Sequence, residues 1–498
     1  MKSVLIQKLM STSGVKFGTS GARGLADAIT DEVAYSYTRA FLIHLIESGR
    51  MSKNRQLAIA GDLRPSSPRI MLAISRAAVD LKFKVINGGM IPSPAIALFG
   101  MAEYIPSIMV TGSHIPDDRN GIKFNRPEGE IDKTDETGIK AAQIDIDEKL
   151  FDGNGAFVQS YDHLEVSSLP IELYLKRWPD FFGDKCLDGL RLGVYQHSTV
   201  GRDHLVQIFE SMGAHVQALG RSDKFIPVDT EAIRPEDVVL AKDWCADGEF
   251  DALISADGDC DRPLLSDENG SWIRGDVLGI LGARYLDADG VATPVSCNTA
   301  LEKCGIFEAI QRTKIGSPYV IEAMGKLANN GAQKIVGYEA NGGFLQHSKL
   351  YNEGRILTTL PTRDPVIVCV AVLLAGLKAQ VKLSELLKSI PARFTASDRI
   401  KNFPSELSHS KLESLHFGEL SEDISAFNVA FKALGLEAKG LDDTDGLRYT
   451  LSDDRVVHLR GSGNAPELRC YTESDSEVDA VELMRSCLSL METWKNQM

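Results

Sequence analysis

A turn after an apolar segment carries side chains of three reactive types. Residues 108–110 are apolar and run into a polar turn with Ser113 and His114, and Lys123 follows in the next segment. A serine hydroxyl can act as a nucleophile or phosphoryl carrier when a neighbour activates it, and imidazole or ammonium groups can move protons or stabilise charge. An ordinary polar turn is the alternative. A hydrolase triad is disfavoured because the chain contains no GxSxG nucleophile elbow.

Three aspartates alternate directly after a second apolar segment. Asp257, Asp259 and Asp261 are followed by Arg262. Carboxylates at this spacing suit Mg²⁺, a hard cation that takes the rest of its shell from water and substrate phosphate. An EF-hand calcium loop is an alternative, with Glu268 at its twelfth position, but Arg262 stands where that loop needs Gly and a strand precedes it. A solvated acidic turn is the other alternative.

Two glycine-rich loops carry groups that could hold a sugar and a phosphate. In residues 337–344, Glu339 and Asn341 offer acceptors and a donor to sugar hydroxyls, and the glycines let a ligand approach the backbone. In residues 460–469, backbone N–H groups and two arginines suit a phosphate. The candidate ligands in that loop are Arg460, Ser462, Gly463, Asn464 and Arg469. Each loop by itself could also be a plain surface turn.

A further glycine-rich segment, residues 17–24, contains Arg23. This arginine could reach over a phosphate. The alternative to a phosphate-binding role is that residues 17–24 only form a flexible connection to the first helix.

The elements that must present these loops follow the rhythm of βαβ units, in which β-rich apolar segments alternate with amphipathic ones. Three such stretches predict α/β domains at residues 1–160, 161–271 and 272–391. Residues 392–498 are more polar with shorter strands, which indicates a smaller α+β domain. The longest apolar run, residues 366–377, is shorter than the roughly 20 residues of a membrane span and predicts a buried helix after Pro365.

Bulk properties narrow the class of protein. A chain of 498 residues exceeds one hydrophobic core and predicts three or four domains. Its formal charge of -15 argues against a general nucleic-acid binder. The eight cysteines form no CxxC pair, so buried thiols in a reducing compartment are expected rather than zinc or disulfides. The first residues lack the pattern of a signal peptide, so we expect a cytoplasmic protein with no membrane segment.

Taken in order, the loops resemble the motifs of the α-D-phosphohexomutase superfamily over essentially the whole chain. The matching segments are FGTSGARG at 17–24, TGSHIPDDRNGIK at 111–123, DGDCDR at 257–262, GYEANGG at 337–343 and RGSGNAPELR at 460–469. The resemblance implies an α/β fold of four domains around a central cleft, with three similar α/β domains and a smaller C-terminal α+β domain.

The resemblance also implies roles for individual residues. Ser113 would carry a phosphoryl group and, with it, join three carboxylates in holding Mg²⁺: Asp257, Asp259 and Asp261. The catalytic centre would also include Arg23, His114, Lys123 and Arg262. Glu339 and Asn341 would contact the sugar. The phosphate that is not reacting would be held by Arg460, Ser462, Gly463, Asn464 and Arg469.

The reaction implied by the resemblance is phosphoryl transfer between O1 and O6 of a hexose through phospho-Ser113 and a 1,6-bisphosphate. Glucose or mannose 1,6-bisphosphate is expected as the activator, and small hexose phosphates are the expected partners of a monomer or homodimer. The combination of DGDCDRP and GYEANGGF most resembles bacterial phosphomannomutases that supply nucleotide sugars for surface polysaccharide. Mannose phosphate is therefore the expected substrate.

Several positions depart from the common family residues. Gly112 and Ile115, beside the serine, leave the implied chemistry intact. Asn341, Gly343 and Ala465 leave the choice of substrate open. A phosphoglucomutase or a dual phosphomannomutase/phosphoglucomutase is the first alternative. A phosphoglucosamine mutase and a non-catalytic sugar-phosphate binding protein are the others.

Overall fold

The computed structural model describes residues 1–18, 21–51, 55–461 and 466–495. The chain forms two compact units. Unit 1 comprises Met1–Val291 and Gly316–Leu386, and unit 2 comprises Ala292–Ile315 and Leu387–Met498. Each unit contains both helices and sheets, in agreement with the predicted α/β class. The division into four domains at residues 160, 271 and 391 stays a prediction.

Unit 1 begins with a mixed seven-stranded sheet and a separate strand pair. The strands are β1 (Lys2–Leu5), β2 (Lys16–Phe17), β3 (Gly21–Leu25), β4 (Gln56–Gly61), β5 (Lys84–Met90), β6 (Ser107–Val110), β7 (Arg119–Arg126), β8 (Gly129–Glu130) and β9 (Gln143–Ile146). The helices are α1 (Ile6–Ser13), α2 (Asp31–Glu47), α3 (Ser67–Asp80), α4 (Ser93–Glu103) and α5 (Lys133–Ala141), with a 3₁₀ helix at Glu148–Leu150.

The order of the large sheet is β2-β3-β7-β6-β4-β5, with β8 paired to β7, while β1 pairs with β9. Strand β4 is parallel to β5 and β6, whereas β7 runs antiparallel to β6 and β3. Helices α3 and α4 both pack on β4. Because both faces of this strand are covered, its residues form a continuous apolar run rather than an alternating one.

The second stretch of unit 1 repeats part of this arrangement. Its elements are α6 (Leu169–Phe182), β10 (Arg191–His197), α7 (Arg202–Ser211), β11 (His215–Arg221), α8 (Pro235–Cys245), β12 (Ala252–Ala256), β13 (Pro263–Leu265) and α9 (Gly275–Tyr285). The sheet order is β11-β10-β12-β13, with β13 antiparallel and the others parallel. This matches β5-β4-β6-β7 of the first sheet. In both sheets the last parallel strand leads into a loop with chemistry, at residues 111–118 and 257–262.

The third stretch contains the predicted strand before Glu339 and the predicted apolar helix. Its elements are β14 (Gly290–Pro294), α10 (Ala300–Lys303), β15 (Ala309–Thr313), α11 (Ser317–Asn329), β16 (Ile335–Tyr338), β17 (Phe344–Gln346), β18 (Leu350–Asn352), β19 (Arg355–Leu357), β20 (Leu360–Arg363), α12 (Pro365–Ala379), α13 (Leu383–Leu386) and a 3₁₀ helix at Leu387–Ser389. In unit 1, β16, β17 and β20 are antiparallel neighbours, and β18 pairs with β19. Helix α12 begins at Pro365 and is buried through Gly376, as the sequence predicts.

Unit 2 ends in an antiparallel sheet covered by helices, which agrees with the α+β class predicted for residues 392–498. Its elements after residue 391 are β21 (Phe394–Lys401), α14 (Ser405–Glu413), α15 (Leu420–Ala430), a 3₁₀ helix at Lys432–Leu434, β22 (Ala438–Asp442), β23 (Leu447–Leu451), β24 (Val456–Gly461), β25 (Glu467–Ser474) and α16 (Glu477–Trp494). The strand order is β21-β25-β24-β23-β22. Helix α16 packs on β21 and β25 and closes a core that includes the stacked rings of Phe427 and Phe431.

Among the described residues, no single helix is long and apolar enough to cross a membrane. Only Pro365–Ala379 and Leu383–Ser389 taken together reach that length and composition, across a bend of 89°. All eight cysteines lie among the described residues as thiols. Six are buried, whereas Cys186 and Cys304 are half-buried rather than fully buried as the sequence predicts.

Candidate active site

Ser113 is a buried serine whose backbone conformation is strained. It lies between β6 and β7, is 1% exposed, and has a φ of 58°. A non-glycine residue in this region costs about 1–3 kcal/mol, so surrounding contacts must hold it there. Its amide donates a hydrogen bond to Thr111 Oγ1 at 2.7 Å. Its hydroxyl donates to Asp257 Oδ2 at 2.6 Å, so the serine is aimed at the aspartate loop.

The three alternating aspartates form a cluster with the composition of a metal site. One oxygen from each of Asp257, Asp259 and Asp261 lies within 4.8 Å of the others, and all three side chains are buried. Burial, and then the like charges of the other two, raise the pKa of Asp257 well above its ordinary value. The Oδ1 atoms of Asp259 and Asp261 are buried and accept no hydrogen bond from a described residue. Unpartnered carboxylate oxygens in this number fit a hard divalent cation.

Lys123 partly balances this negative charge. Strand pairing places it on β7 opposite Met109 of β6. Its Nζ donates to Asp259 Oδ2 at 2.5 Å and to Asp261 Oδ2 at 2.7 Å. Burial acts to lower the pKa of Lys123, but the two carboxylates outweigh it and hold the pKa above its ordinary value. The lysine is therefore a fixed cation beside the reactive serine.

His114 is a neutral imidazole held by a neighbouring arginine. Arg262 Nη1 lies 2.9 Å from His114 Nδ1. Because a guanidinium only donates, this imidazole nitrogen accepts and the ring proton lies on Nε2. Burial, and then the charge of Arg262, lower the pKa of His114 to about 3. Burial and Arg262 also lower the pKa of Arg23 to about 10. The charge of Asp259 acts in the opposite direction on Arg23, so this buried guanidinium lies close enough to the aspartate loop to meet an anion bound there.

The sugar-loop candidates lie between β16 and β17. Glu339 Oε2 accepts a hydrogen bond from Arg363 Nε at 2.6 Å. Arg363 Nη1 also lies 3.4 Å from Asp261 Oδ2, so one arginine joins the sugar loop and the aspartate loop. Asn341 Oδ1 accepts from the Gly343 amide at 2.9 Å and thereby folds the loop. The side chain of Asn341 has a structural task in addition to the sugar contact that the sequence predicts.

Arg64 is a site residue that the sequence reasoning missed. Its guanidinium is buried and donates to the carbonyl oxygens of Ser113 at 2.7 Å, Ile115 at 2.7 Å and Pro116 at 3.2 Å. It also pairs with Asp62 at 3.1 Å. Arg64 therefore holds the backbone of the serine loop. The sequence feature that could have identified Arg64 is the charged Asp-x-Arg segment directly after β4, because residues at the carboxyl ends of parallel strands often line a site.

Arg363 is the second residue that the sequence reasoning missed. Its signal was a charged Arg-Asp pair at residues 363–364, directly before the apolar helix α12. Buried charges require partners, so this position had to meet carboxylates.

The two arginines of the phosphate-loop prediction lie in unit 2. Arg460 on β24 and Arg469 on β25 are directly opposite each other in the antiparallel register. Opposite residues of a strand pair project from the same face, so the register brings both side chains together. Arg469 Nη2 lies 3.5 Å from Glu467 Oε2. The other predicted members, Ser462, Gly463 and Asn464, lie outside the described residues, as does Ala465.

Within unit 1, contacts connect most of the predicted catalytic and metal residues. Hydrogen bonds join Ser113 to Asp257, Lys123 to the other two aspartates, and His114 to Arg262. The structure disfavours the calcium-loop alternative. Glu268, which would be the twelfth-position ligand of that loop, instead accepts hydrogen bonds from the Ser384 amide and hydroxyl.

Comparisons with known proteins point to one family. Models described as phosphoglucomutase/phosphomannomutase alpha/beta/alpha domain I and domain III match residues 14–149 and 274–394. A phosphomannomutase of Salmonella muenchen is 42% identical over 97% of this chain and 96% of its own length. A phosphomannomutase of Sinorhizobium fredii is 40% identical over 96% of this chain and 99% of its own length.

Solved structures share the fold. A phosphoglucomutase/phosphomannomutase family protein from Burkholderia thailandensis has a TM-score of 0.70 at 19% identity, covering 96% of this chain and 97% of that one. An N-acetylphosphoglucosamine mutase of Aspergillus fumigatus, solved with GlcNAc-6P and magnesium, has a TM-score of 0.57 at 13% identity, covering 99% and 100%. At these identities the likeness concerns the fold alone.

Proposed function

Because the chain belongs to the phosphoglucomutase/phosphomannomutase family, we propose that it is a phosphomannomutase that interconverts mannose 6-phosphate and mannose 1-phosphate. The observation that carries this proposal is the 2.6 Å hydrogen bond from the Ser113 hydroxyl to Asp257, inside a cluster of three aspartates. The two relatives at 42% and 40% identity, both named phosphomannomutases, support mannose as the sugar.

Ser113 is the proposed carrier of the phosphoryl group. It passes this group to the free hydroxyl of a hexose monophosphate, and the resulting 1,6-bisphosphate turns around and returns its other phosphoryl group. Mannose or glucose 1,6-bisphosphate is the activator, because it charges Ser113 directly. The contacts of Thr111 and Arg64 with the Ser113 amide and carbonyl support this role, since they fix the backbone from which the hydroxyl projects.

Asp257, Asp259, Asp261 and the phosphoryl group on Ser113 would hold the proposed Mg²⁺ ion. When bound, the ion supplies positive charge that stabilises the transferring phosphoryl group. Lys123 adds a fixed ammonium at the same place, bonded to two of the aspartates.

Arg23, His114 and Arg262 are the proposed contacts to the reacting phosphate. Arg262 keeps the His114 ring oriented with its Nε2 proton available for donation. The buried guanidinium of Arg23 lies close enough to the aspartate loop to meet a phosphate bound there.

Glu339 and Asn341 are proposed to bind sugar hydroxyls. In unit 2, the phosphate that is not reacting is proposed to bind Arg460, Ser462, Gly463, Asn464 and Arg469. The register that places Arg460 opposite Arg469 supports this assignment, because two adjacent guanidinium groups suit one phosphate.

The four-domain division is also proposed for this chain. Residues 14–149 and 274–394, which match the family models for domains I and III, lie close to the first and third predicted domains. The repeated order of β5-β4-β6-β7 and β11-β10-β12-β13 supports the view that the first two domains are alike.

The test is a coupled assay of kcat/KM with mannose 1-phosphate, glucose 1-phosphate and glucosamine 1-phosphate, each with bisphosphate activator. We expect mannose 1-phosphate to be preferred, intact-mass and peptide mapping to place phosphate on Ser113, and Ser113→Ala to abolish turnover. A preference for glucose 1-phosphate would make the protein a phosphoglucomutase. Near-full activity of Ser113→Ala would refute the proposed carrier.

A further inference from the structure

Three consecutive residues at the end of β20 contact three different parts of unit 1. Thr362 Oγ1 donates to Glu130 Oε1 on β8 at 2.8 Å. Asp364 Oδ1 accepts from Tyr174 Oη on α6 at 3.0 Å. Arg363, between them, reaches the aspartate loop and the sugar loop. Residues 362–364 therefore form a junction between β8, α6, the aspartate loop and the sugar loop.

Arg363 makes the contacts of this junction that involve the proposed chemistry. It is 3% exposed, and its guanidinium is shared between Glu339 at 2.6 Å and Asp261 at 3.4 Å. Burial acts to lower the pKa of Arg363, but the two carboxylates outweigh it and hold the pKa well above its ordinary value. A planar guanidinium presents its donors in a rigid fork, whereas an ammonium is a compact point charge on a flexible stem.

The sugar loop is built around the stem of this arginine. A Cβ at Gly343 would lie 2.5 Å from Arg363 Cδ and 2.9 Å from its Cγ. A side chain at residue 343 and the present position of Arg363 exclude each other. Residue 343 is therefore a glycine because only a residue without a side chain leaves space for Arg363.

We propose that Arg363 is a positioning residue that orients Glu339 for the sugar and links it to Asp261 of the aspartate loop. This inference rests on the proposed function, since Glu339 and Asp261 are its sugar and metal contacts. With Oε2 bonded to Arg363, Glu339 Oε1 accepts no hydrogen bond from another described residue and faces no competition for a sugar hydroxyl. Because one guanidinium holds both carboxylates, the sugar contact and the metal loop are coupled.

A double-mutant cycle of Arg363→Lys and Glu339→Gln tests this role. Loss of a charge-assisted hydrogen bond predicts a fall of about 10- to 150-fold in kcat/KM for mannose 1-phosphate in Arg363→Lys. If Arg363 acts through Glu339, the same change should cost much less in the Glu339→Gln background. Additive losses, or an unchanged kcat/KM in Arg363→Lys, would overturn the proposal.

Thr362→Val is the matched control for a merely structural junction. It removes the neighbouring hydrogen bond to Glu130 and leaves Arg363 in place. We expect it to lower the thermal midpoint while keeping kcat/KM close to wild type. Equal losses of kcat/KM in Thr362→Val and Arg363→Lys would mean that the junction only holds the fold, and the proposal would fail.

Manganese binding supplies a readout that does not need turnover. Relative to Glu339→Gln alone, Arg363→Gln/Glu339→Gln removes a cation near Asp261, so Mn²⁺ should bind more tightly. The double variant Arg363→Gln/Glu339→Gln carries no charge at either position, and it also serves as the test if Arg363→Lys does not fold. Unchanged Mn²⁺ affinity would refute the link to Asp261. A wild-type protein without mutase activity would instead refute the proposed function, while the Mn²⁺ measurement would still decide whether Arg363 is linked to Asp261.

Discussion

Asp445 holds Arg460 by accepting a hydrogen bond from Arg460 Nε to its Oδ1 at 3.0 Å. Its Oδ2 accepts from the Ile315 amide at 2.9 Å, and its backbone oxygen lies 2.6 Å from His458 Nε2. Gly446 lets this turn approach β24 closely, because a Cβ there would lie 2.4 Å from a strand carbonyl. With Nε engaged by Asp445, the two terminal nitrogens of Arg460 are the ones that would bind the phosphate under the proposed function.

Asp445→Asn is therefore expected to weaken binding of the non-reacting phosphate. The asparagine keeps the shape but loses the charge that orients Arg460, so kcat/KM for mannose 1-phosphate should fall about tenfold, mainly through KM. Steady-state kinetics with Asp443→Asn as the control measure this, since Asp443 is exposed and makes no bond with Arg460. Equal kinetics in the two variants would contradict the orienting role.

Asp259→Asn is expected to impair the proposed metal site. Mutation of a residue that only supports a metal ligand typically lowers metal affinity or activity by about 10- to 100-fold. Loss of a ligand itself should therefore lower kcat by more than about 100-fold. Raised Mg²⁺ should restore part of the loss. The exposed residue Asp243 supplies the control, Asp243→Asn, which should behave as wild type. Wild-type rates in EDTA would show that the aspartates serve no metal.

Gly112→Ala is expected to disturb Arg64. A Cβ at residue 112 would lie 2.7 Å from Arg64 Cζ and Nε, and this guanidinium cannot retreat because three carbonyl oxygens and Asp62 hold it. Overpacking of this kind costs about 1–3 kcal/mol, and the serine loop should lose its fixed position. The midpoint of thermal unfolding and kcat/KM should both be lower in Gly112→Ala than in the control Gly153→Ala. Gly153 has open space around it, so a methyl group there meets no other atom. Matching behaviour of the two variants would contradict this account.

Asp364 predicts a pH-dependent stability. Burial raises its pKa to about 6, although Arg177 acts in the opposite direction. The folded protein therefore binds this proton more tightly than the unfolded chain, and stability falls as pH rises from about 4 to about 6, by up to roughly 3 kcal/mol.

Asp364→Asn should remove this dependence, because the amide oxygen can still accept from Tyr174 and from the first turn of α12. The thermal midpoint of the variant relative to wild type should be higher at pH 7.5 than at pH 4.5. A difference that does not change with pH would show that Asp364 is not the titrating group.

Local features of the sequence were sufficient for the elements that carry the site. The strands before Ser113, Asp257 and Glu339 are short apolar runs that end in glycine or aspartate turns, and a strand of this type is recognisable from its own residues. The same holds for helix α12, whose apolar run starts at a proline. The reactive residue types and the motifs that resemble one enzyme superfamily were likewise readable without coordinates.

Tertiary structure alone decided which of these residues meet and what supports them. Arg64 bonds the carbonyl of Ser113 across 49 residues of sequence, and Arg363 reaches Asp261 across 102. Such contacts depend on strand order and on how separate sheets pack, and no local pattern encodes them. Arg64, Arg363 and Asp445 therefore escaped notice, because a charged residue in a sequence is recognised as a support only when the carbonyl or carboxylate that it binds has been brought beside it.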